Sequence, residues 1–423
     1  MLGITAFLLI GSILMFFTKT VAVKMLPFDN KNEFQVVIDM PEGTTLERTA
    51  AVTNEIAQYI STASEVTDYQ TYIGTSAPIT FNGLVRHYDI RGGSNMADIQ
   101  VNLLPKDERE LQSHDIAKKM RTEIQRIGNK YGASIKLVEV PPGPPVLSTL
   151  VAEIYGPDYD EQIKVAEQVK TILENTDDVV DIDWMVEAPQ IEYRLEVDKE
   201  KAMLNGIAPK QVVATVTALL REQPISYLYD ESSFDQVNLV MGLEDADKSS
   251  LGDIQNLKLA GNRNNTIALG DIVQVKKDTL QNTIFRKDQK RVVYITADMA
   301  GDLESPVYAI LGMNEKLQKI ELPTGYNLNE FYMEQPADQS DFGVKWDGEW
   351  QITLEVFRDL GTAFLVVIII IYMLIVGWFQ NFKTPIVMMI ASPLSLVGIV
   401  LGHWLFGAFF TATSFIGMIA LAG

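Results

Sequence analysis

The sequence predicts an α+β membrane protein in which two split βαββαβ units, the second interrupted by an insert, stand beside transmembrane helices. Three observations predict it. Apolar residues gather at the two ends of the chain, nearly all the charge lies between Lys19 and Asp359, and one order of strands and helices occurs twice within that charged middle.

Leu2 to Phe17 is an apolar run with no charge. It lacks a basic leading region and is followed by Lys19 and Lys24 rather than a small-residue cleavage site, so residues 1–20 are expected to be a membrane span missing its beginning rather than a signal peptide. Glu33 to Met40 alternates like a strand, and Thr44-Thr-Leu-Glu47 has capping-box spacing for a helix on which Val52, Ile56 and Ile60 share a face. Strands at Val66 to Ile73 and Asp98 to Leu104 flank a loop. Ser113 is placed to cap the next helix, where Ile116, Met120, Ile124, Ile127 and Tyr131 recur at three and four, and Ser134 to Val140 closes the unit. This is the ferredoxin-like order, assigned to residues 33–145.

The order restarts after Pro141-Pro-Gly-Pro-Pro145 with a strand at Leu150 to Tyr155, a helix at Tyr159 to Asn175 and a strand at Val179 to Met185. Its second half is a strand at Arg291 to Met299, a helix at Leu303 to Ile320 and a strand at Asn327 to Tyr332, so the second unit is expected over 146–187 and 280–334. Residues 190–278 are then an inserted small mixed subdomain. From Trp346 a helix carrying Ile352, Val356 and Leu360 is expected to run unbroken into the membrane, over 346–379.

A helix spans the hydrocarbon with about 20 apolar residues. Gly361 to Phe379 and Thr384 to Gly402 each meet that requirement, and the short turn at Gln380 to Lys383 makes them a hairpin, the second helix covering 384–406. Residues 409–423 read as the start of a further, truncated span. Lys383 favours a cytoplasmic turn, which places the long charged segment outside. No ionisable group lies within these spans apart from His403 at the end of one, beside Trp404, where an interfacial role accounts for it. Pro385 and Pro393 start and kink that helix.

With Lys+Arg 35 against Asp+Glu 55, the chain is a poor partner for nucleic acid, which is bound by cationic side chains that displace counterions. The absence of cysteine excludes disulfides, zinc-thiolate sites and thiol nucleophiles. Three histidines far apart and no nucleophile motif leave no catalytic residue to name, and no metal site, proton-relay residue or cofactor motif is visible either.

Several segments resemble, in order, those of resistance-nodulation-division efflux permeases of the hydrophobe/amphiphile (acriflavine-resistance) branch. They are Met25-Leu-Pro-Phe-Asp-Asn-Lys31, Phe34-Gln-Val-Val-Ile-Asp-Met-Pro-Glu-Gly43, Val138-Glu-Val-Pro-Pro-Gly-Pro-Pro145, Asp198-Lys-Glu-Lys-Ala202 with Gly206-Ile207, and Phe415-Ile-Gly-Met-Ile-Ala-Leu-Ala-Gly423. The resemblance covers essentially the whole chain and implies the C-terminal half of such a permease. It implies that the two split units are porter subdomains and the insert a docking subdomain. It further implies a drug:proton antiporter, not an enzyme, in the bacterial inner membrane with its large domain in the periplasm. The complete protein would be a homotrimer exporting small amphiphilic substrates with a periplasmic adaptor and an outer-membrane channel. Relay residues would lie just beyond Gly423, so the chain alone is not expected to transport.

Strand parity proposes the substrate pathway. Asp98, Gln100 and Asn102 point away from Ile99, Val101 and Leu103, and Gln70 and Tyr72 alternate with Tyr69, Thr71 and Ile73, so the polar faces floor a groove if the strands are neighbours. The loop Thr75 to Asn95, with Phe81 and Leu84, matches in position the family's mobile loop between pockets. Gln70, Gln100 and Glu139 stand where the family often has pocket aromatics, which implies a more polar pocket. The pathway set is thus Gln70, Tyr72, Phe81, Leu84, Asp98, Gln100 and Glu139. Two other export readings stay open: a heavy-metal exporter of the sister branch, against which the methionines are scattered, and an ABC-type permease of the macrolide-exporter kind, whose ATPase would be a separate chain.

Overall fold

A computed structural model describes residues 2–26, 28–79, 81–140, 143, 146–221, 224–261, 265–301 and 303–422. The Pro141 to Pro145 turn therefore lies almost wholly outside the described residues.

Helix α1 (Leu2–Phe17) leads to the first unit: β1 (Glu33–Asp39), α2 (Leu46–Ile60), β2 (Val66–Thr75), α3 (Phe81–Arg86), β3 (Gly92–Leu103), α4 (Ser113–Tyr131) and β4 (Ser134–Glu139). The sheet order is β2-β3-β1-β4 with every neighbouring pair antiparallel, as a split βαββαβ chain requires. One face is closed by the apolar stripes of α2 and α4. Phe34, Val36 and Ile38 of β1 and Ile99 and Val101 of β3 pack there against Val52, Ile56, Ile116 and Ile124. The helix starts differ in detail from the sequence reading. No capping box forms, because the Thr44 hydroxyl donates to the Pro41 carbonyl (2.6 Å). Ser113 is the first residue inside α4, and its hydroxyl accepts from the Lys31 N–H (3.2 Å), so it fastens the incoming chain instead of capping.

The second unit begins with β5 (Leu150–Tyr155), α5 (Tyr159–Glu174) and β6 (Val179–Trp184). The Asp158 carboxylate caps α5 by accepting from the N–H groups of Asp160 and Glu161. The chain then leaves for residues 189–281, a compact unit of its own. That unit runs β7 (Ile191–Val197), α6 (Lys199–Leu204), α7 (Pro209–Arg221), β8 (Pro224–Leu228), β9 (Val237–Val240), α8 (Leu251–Gln255), β10 (Lys258–Ala260), β11 (Thr266–Ala268), α9 (Leu269–Ile272) and β12 (Val273–Thr279). Ala202, Ile207, Val212, Leu269 and Ile272 make its core, while every residue of the hairpin strands β8 and β9 is exposed.

The second unit resumes with the short pair β13 (Arg286–Lys287) and β14 (Lys290–Arg291), then β15 (Val293–Met299), α10 (Pro306–Leu317), β16 (Leu328–Phe331) and β17 (Phe342–Gly348). Its sheet order is β16-β17-β5-β15-β6. Here the structure corrects the sequence reading twice. The strand near 327–332 does not close the unit; it lies at the edge, parallel to β17, and β17 takes the place beside β5. Trp346 lies in that strand, fully buried, so the helix expected from 346 begins at Glu349. Residues 342–348 alternate apolar and polar around Trp346, a strand signal that the helical spacing of Ile352, Val356 and Leu360 obscured.

β17 passes into α11 (Glu349–Phe379) with Gly348 alone at the corner. α12 (Lys383–Met389), α13 (Ala391–Phe406) and α14 (Ala412–Ala422) follow. Two described segments are long and apolar enough to cross a membrane, Glu349–Phe379 and Lys383–Phe406. The second is broken into α12 and α13 at Ile390; a proline at 393 has no N–H to offer the Met389 carbonyl. The segment after α1 is stitched to the turn before α14: Lys24 N–H donates to Phe410 O (3.1 Å) and Ala412 N–H to Met25 O (3.1 Å). Val21, Val400 and Phe410 form a small core there with Phe357.

Candidate functional site

The face of the first sheet away from α2 and α4 carries most of the predicted pathway residues. β2 and β3 are direct neighbours in a register that sets Gln70 opposite Gln100 and Tyr72 opposite Asp98. Paired residues of antiparallel strands project to one side, so these four share a face with Glu33 and Gln35 of β1. Hydrogen bonds run across it. Tyr72 Oη donates to Gln70 Oε1 (2.5 Å), Gln100 Nε2 to Glu33 Oε2 (3.0 Å) and Asn102 Nδ2 to Asp68 Oδ1 (2.6 Å).

Two of the predicted residues do not belong to an open groove. Asp98 is fully buried at 0% exposure. It accepts from the Ala77 N–H (2.8 Å) and is paired with the Arg91 guanidinium, which also binds Asp39 and the Ile38 carbonyl. Parity placed it on the right face, but the chain between β2 and β3 folds back over that half of the sheet. Burial raises the Asp98 carboxyl above the usual range, with Arg91 opposing. Glu139 pairs with Phe34, which faces the helices, and so lies on the opposite side of the sheet from Gln70 and Gln100. Leu84, 60% exposed, sits on α3 in the covering segment. The Phe81 side chain lies outside the described residues.

The covering segment also reaches the second unit, a contact that sequence reasoning missed. Arg86 donates to both oxygens of Asp298 on β15 (2.7 and 3.3 Å), and Asp298 accepts further from Thr149 Oγ1 (2.7 Å) and Ser148 Oγ (3.2 Å). Burial opposes the Asp298 charge, yet Arg86 and the Thr149 hydrogen bonds hold its carboxyl well below the usual range.

A second cluster joins three parts of the chain. His114 on α4 contacts Glu139 Oε2 through Nδ1 (2.7 Å) and Glu304 Oε1 through Nε2 (2.8 Å), and its ring stacks on Phe28 at 4.1 Å. Lys118 donates to the same Glu304 oxygen (2.7 Å) and to Gly301 O (2.7 Å), with the Lys24 ammonium 3.7 Å from the other. Burial would lower the His114 pKa, but hydrogen bonds to the two carboxylates overcome it and push the imidazole up to about 9. Glu304, despite burial, is held down at about 2 by His114 and Lys118.

Between these clusters the edge strands β4 and β6 face each other, bridged by side chains. Leu137 N–H donates to Asp181 Oδ2 (2.8 Å), Arg121 pairs with Asp181, and Lys136 pairs with Asp183 and with Asp39 (2.9 Å). Inward-pointing charge of this kind satisfies an edge without extending the sheet. No group of three or more His, Cys, Asp or Glu side chains able to hold a metal occurs among the described residues.

Two split α/β units are thus joined by a charged seam, and the second passes directly into a helix long enough to cross a membrane. The chain matches the AcrB/AcrD/AcrF family over residues 1–423 and belongs to that family of resistance-nodulation-division efflux transporters. It is similar to the swarming motility protein SwrC of Bacillus subtilis, at 21% identity over 64% of this chain and 24% of that protein. It is also similar to the nickel and cobalt resistance protein CnrA of Cupriavidus metallidurans, at 23% identity over 78% of this chain and 30% of that one. The crystal structure of a heavy metal efflux pump superposes with a TM-score of 0.78 at 19% identity, covering 100% of this chain and 41% of the pump. The chain thus matches 24% and 30% of the length of these two curated relatives, less than a third of either.

Proposed function

We propose that this chain is the periplasmic cargo-handling region and adjoining membrane helices of a proton-driven inner-membrane efflux pump whose cargo is a divalent cation. The two split units act as porter subdomains and residues 189–281 as the docking subdomain. The observation that carries the cargo reading is the uncovered half of the β1–β3–β2 face. Glu33 and Asp68 stand there among the amides of Gln70, Gln100 and Asn102, oxygen-rich surroundings that a hydrated divalent ion can pass without a fixed coordination site. Relatives named for nickel-cobalt and for cobalt-zinc-cadmium resistance favour this over the amphiphile branch.

The pump would work as a homotrimer with a periplasmic adaptor and an outer-membrane channel. The exposed hairpin β8–β9, with Tyr227, Phe234 and Leu239 outward, offers an apolar contact for assembly. Amphiphile export remains a second reading because Ile79, Leu84 and Ile90 are exposed on the segment beside the polar face.

The test is growth of a strain lacking the full-length gene on nickel, cobalt and zinc, with and without complementation. Deletion should lower metal tolerance, and a Glu33→Gln, Asp68→Asn double variant should restore it only partly. Unchanged metal tolerance combined with protonophore-sensitive dye retention would replace the cation reading with the amphiphile one.

A further inference from the structure

The peptide of Met25, in the segment after α1, is tied on both sides. Its carbonyl accepts from Ala412 N–H at the head of α14 (3.1 Å), and its N–H donates to the Glu349 carboxyl at the head of α11. One residue earlier, Lys24 N–H donates to Phe410 O (3.1 Å). The heads of α11 and α14 are therefore joined through one short stretch of chain, and Lys24, Met25 and Ala412 are all buried in the joint.

Glu349 follows Gly348 at the corner where the second sheet passes into α11, outside the uncharged apolar run that begins at Gly361. Its own N–H is fixed on Thr149 O (3.0 Å), so the side chain is the part left to respond. The charged groups around it compensate it poorly. Arg86 and Asp298 on one side are spent on each other (2.7 Å). Lys24, the cation facing it from the segment after α1, is shared with Glu304 at 3.7 Å and with Glu139, and rests 3.8 Å over the Phe28 ring. His114 bridges those two carboxylates, and α14 carries no charged residue. Burial therefore dominates. It pushes the Glu349 carboxyl up to about 7, with Lys24 and the Met25 N–H opposing, and it lowers the Lys24 ammonium. A cavity of about 50 Å³ touches Lys24, Met25 and Glu349, wide enough for water to exchange the proton with solvent.

We propose that Glu349 is a proton-operated latch between the membrane helices and the segment after α1. With its carboxyl protonated, the Met25 peptide stays seated between α11 and α14; with the proton lost to water, the segment lifts and the carboxylate is hydrated. The sign follows from linkage: the closed joint binds the proton more tightly than a hydrated carboxyl does, so acid closes it. The latch does not depend on what the cargo is.

The test is hydrogen exchange on the full chain in phosphatidylcholine nanodiscs from pH 4.5 to about 8, with each rate expressed as protection relative to the unstructured chain at that pH. In wild type, protection at Met25 and Ala412 should fall by about tenfold or more as pH climbs to about 7, then level off. Glu349→Gln keeps an acceptor for the Met25 N–H without a charge and should stay protected throughout. Lys24→Met removes the opposing cation and should carry the fall to higher pH than in wild type. A His87→Gln, His403→Gln double variant should leave the fall in place. Level protection in wild type, a fall that persists in Glu349→Gln, an unshifted fall in Lys24→Met, or a fall that disappears with the two histidines overturns the proposal.

Discussion

His114 shows how one side chain can carry a whole junction. Its two ring nitrogens engage carboxylates from different units, and its stability contribution has a definite pH window. The imidazole rises from 6.5 to about 9 on folding, so its contribution is complete below pH 6.5 and is lost as pH climbs through about 9. Glu304 falls from 4.5 to about 2, so its contribution is complete above pH 4.5 and is lost as pH drops through about 2. Thermal melts should therefore show wild type above His114→Gln at neutral pH, with the gap closing above pH 9; a constant gap across that range would refute the ionic role. Arg86 and Asp298 form a buried, bidentate pair. Arg86→Met strands the Asp298 carboxylate and should cost about 3–5 kcal/mol, whereas the double Arg86→Met, Asp298→Leu variant should recover much of that. Denaturant melts of the three variants measure it.

At the scale of elements, the decisive joint is Gly348. It has φ +79, and a Cβ there would come within 2.5 Å of the Ser148 carbonyl, because α11 starts directly against β5 with Glu349 N–H bonded to Thr149 O. Gly348→Ala should destabilise by about 2 kcal/mol or more. Gly361→Ala, in the same helix with open space around it, should be neutral or slightly stabilising. Melting midpoints of the two variants make the comparison. At about 1.5 Å per residue, the 31 residues of α11 measure about 46 Å, longer than the hydrocarbon core, so one rigid rod joins sheet and membrane.

For the whole molecule, the separate compactness of residues 189–281 has a practical consequence. The flanking chain is clamped outside the insert by Asn282 Nδ2 on Glu187 O (2.7 Å) and Thr283 Oγ1 on Glu187 Oε1 (2.9 Å). Replacing the insert with a short Gly-Ser linker should therefore leave the rest of the chain folded, with its melting midpoint within a few degrees of wild type. A collapse of that transition would show that the insert is needed for the surrounding sheet.

Local pattern alone determined the strand and helix order of the first unit, the interruption of the second, the long apolar segments and the polar parity of Gln70, Tyr72 and Gln100, because periodicity records which face of an element is dry. The same local signal misled where two elements meet without a loop, as at Trp346. Only the tertiary structure decided that Asp98 is covered, that Glu139 turns to the helix side, and that Arg86 and His114 matter at all. Their partners lie 212 and 190 residues away, at Asp298 and Glu304. Nothing in an arginine's or histidine's own neighbourhood records a charge brought to it by a second sheet, since such pairing follows from how the units pack and not from the spacing along the chain.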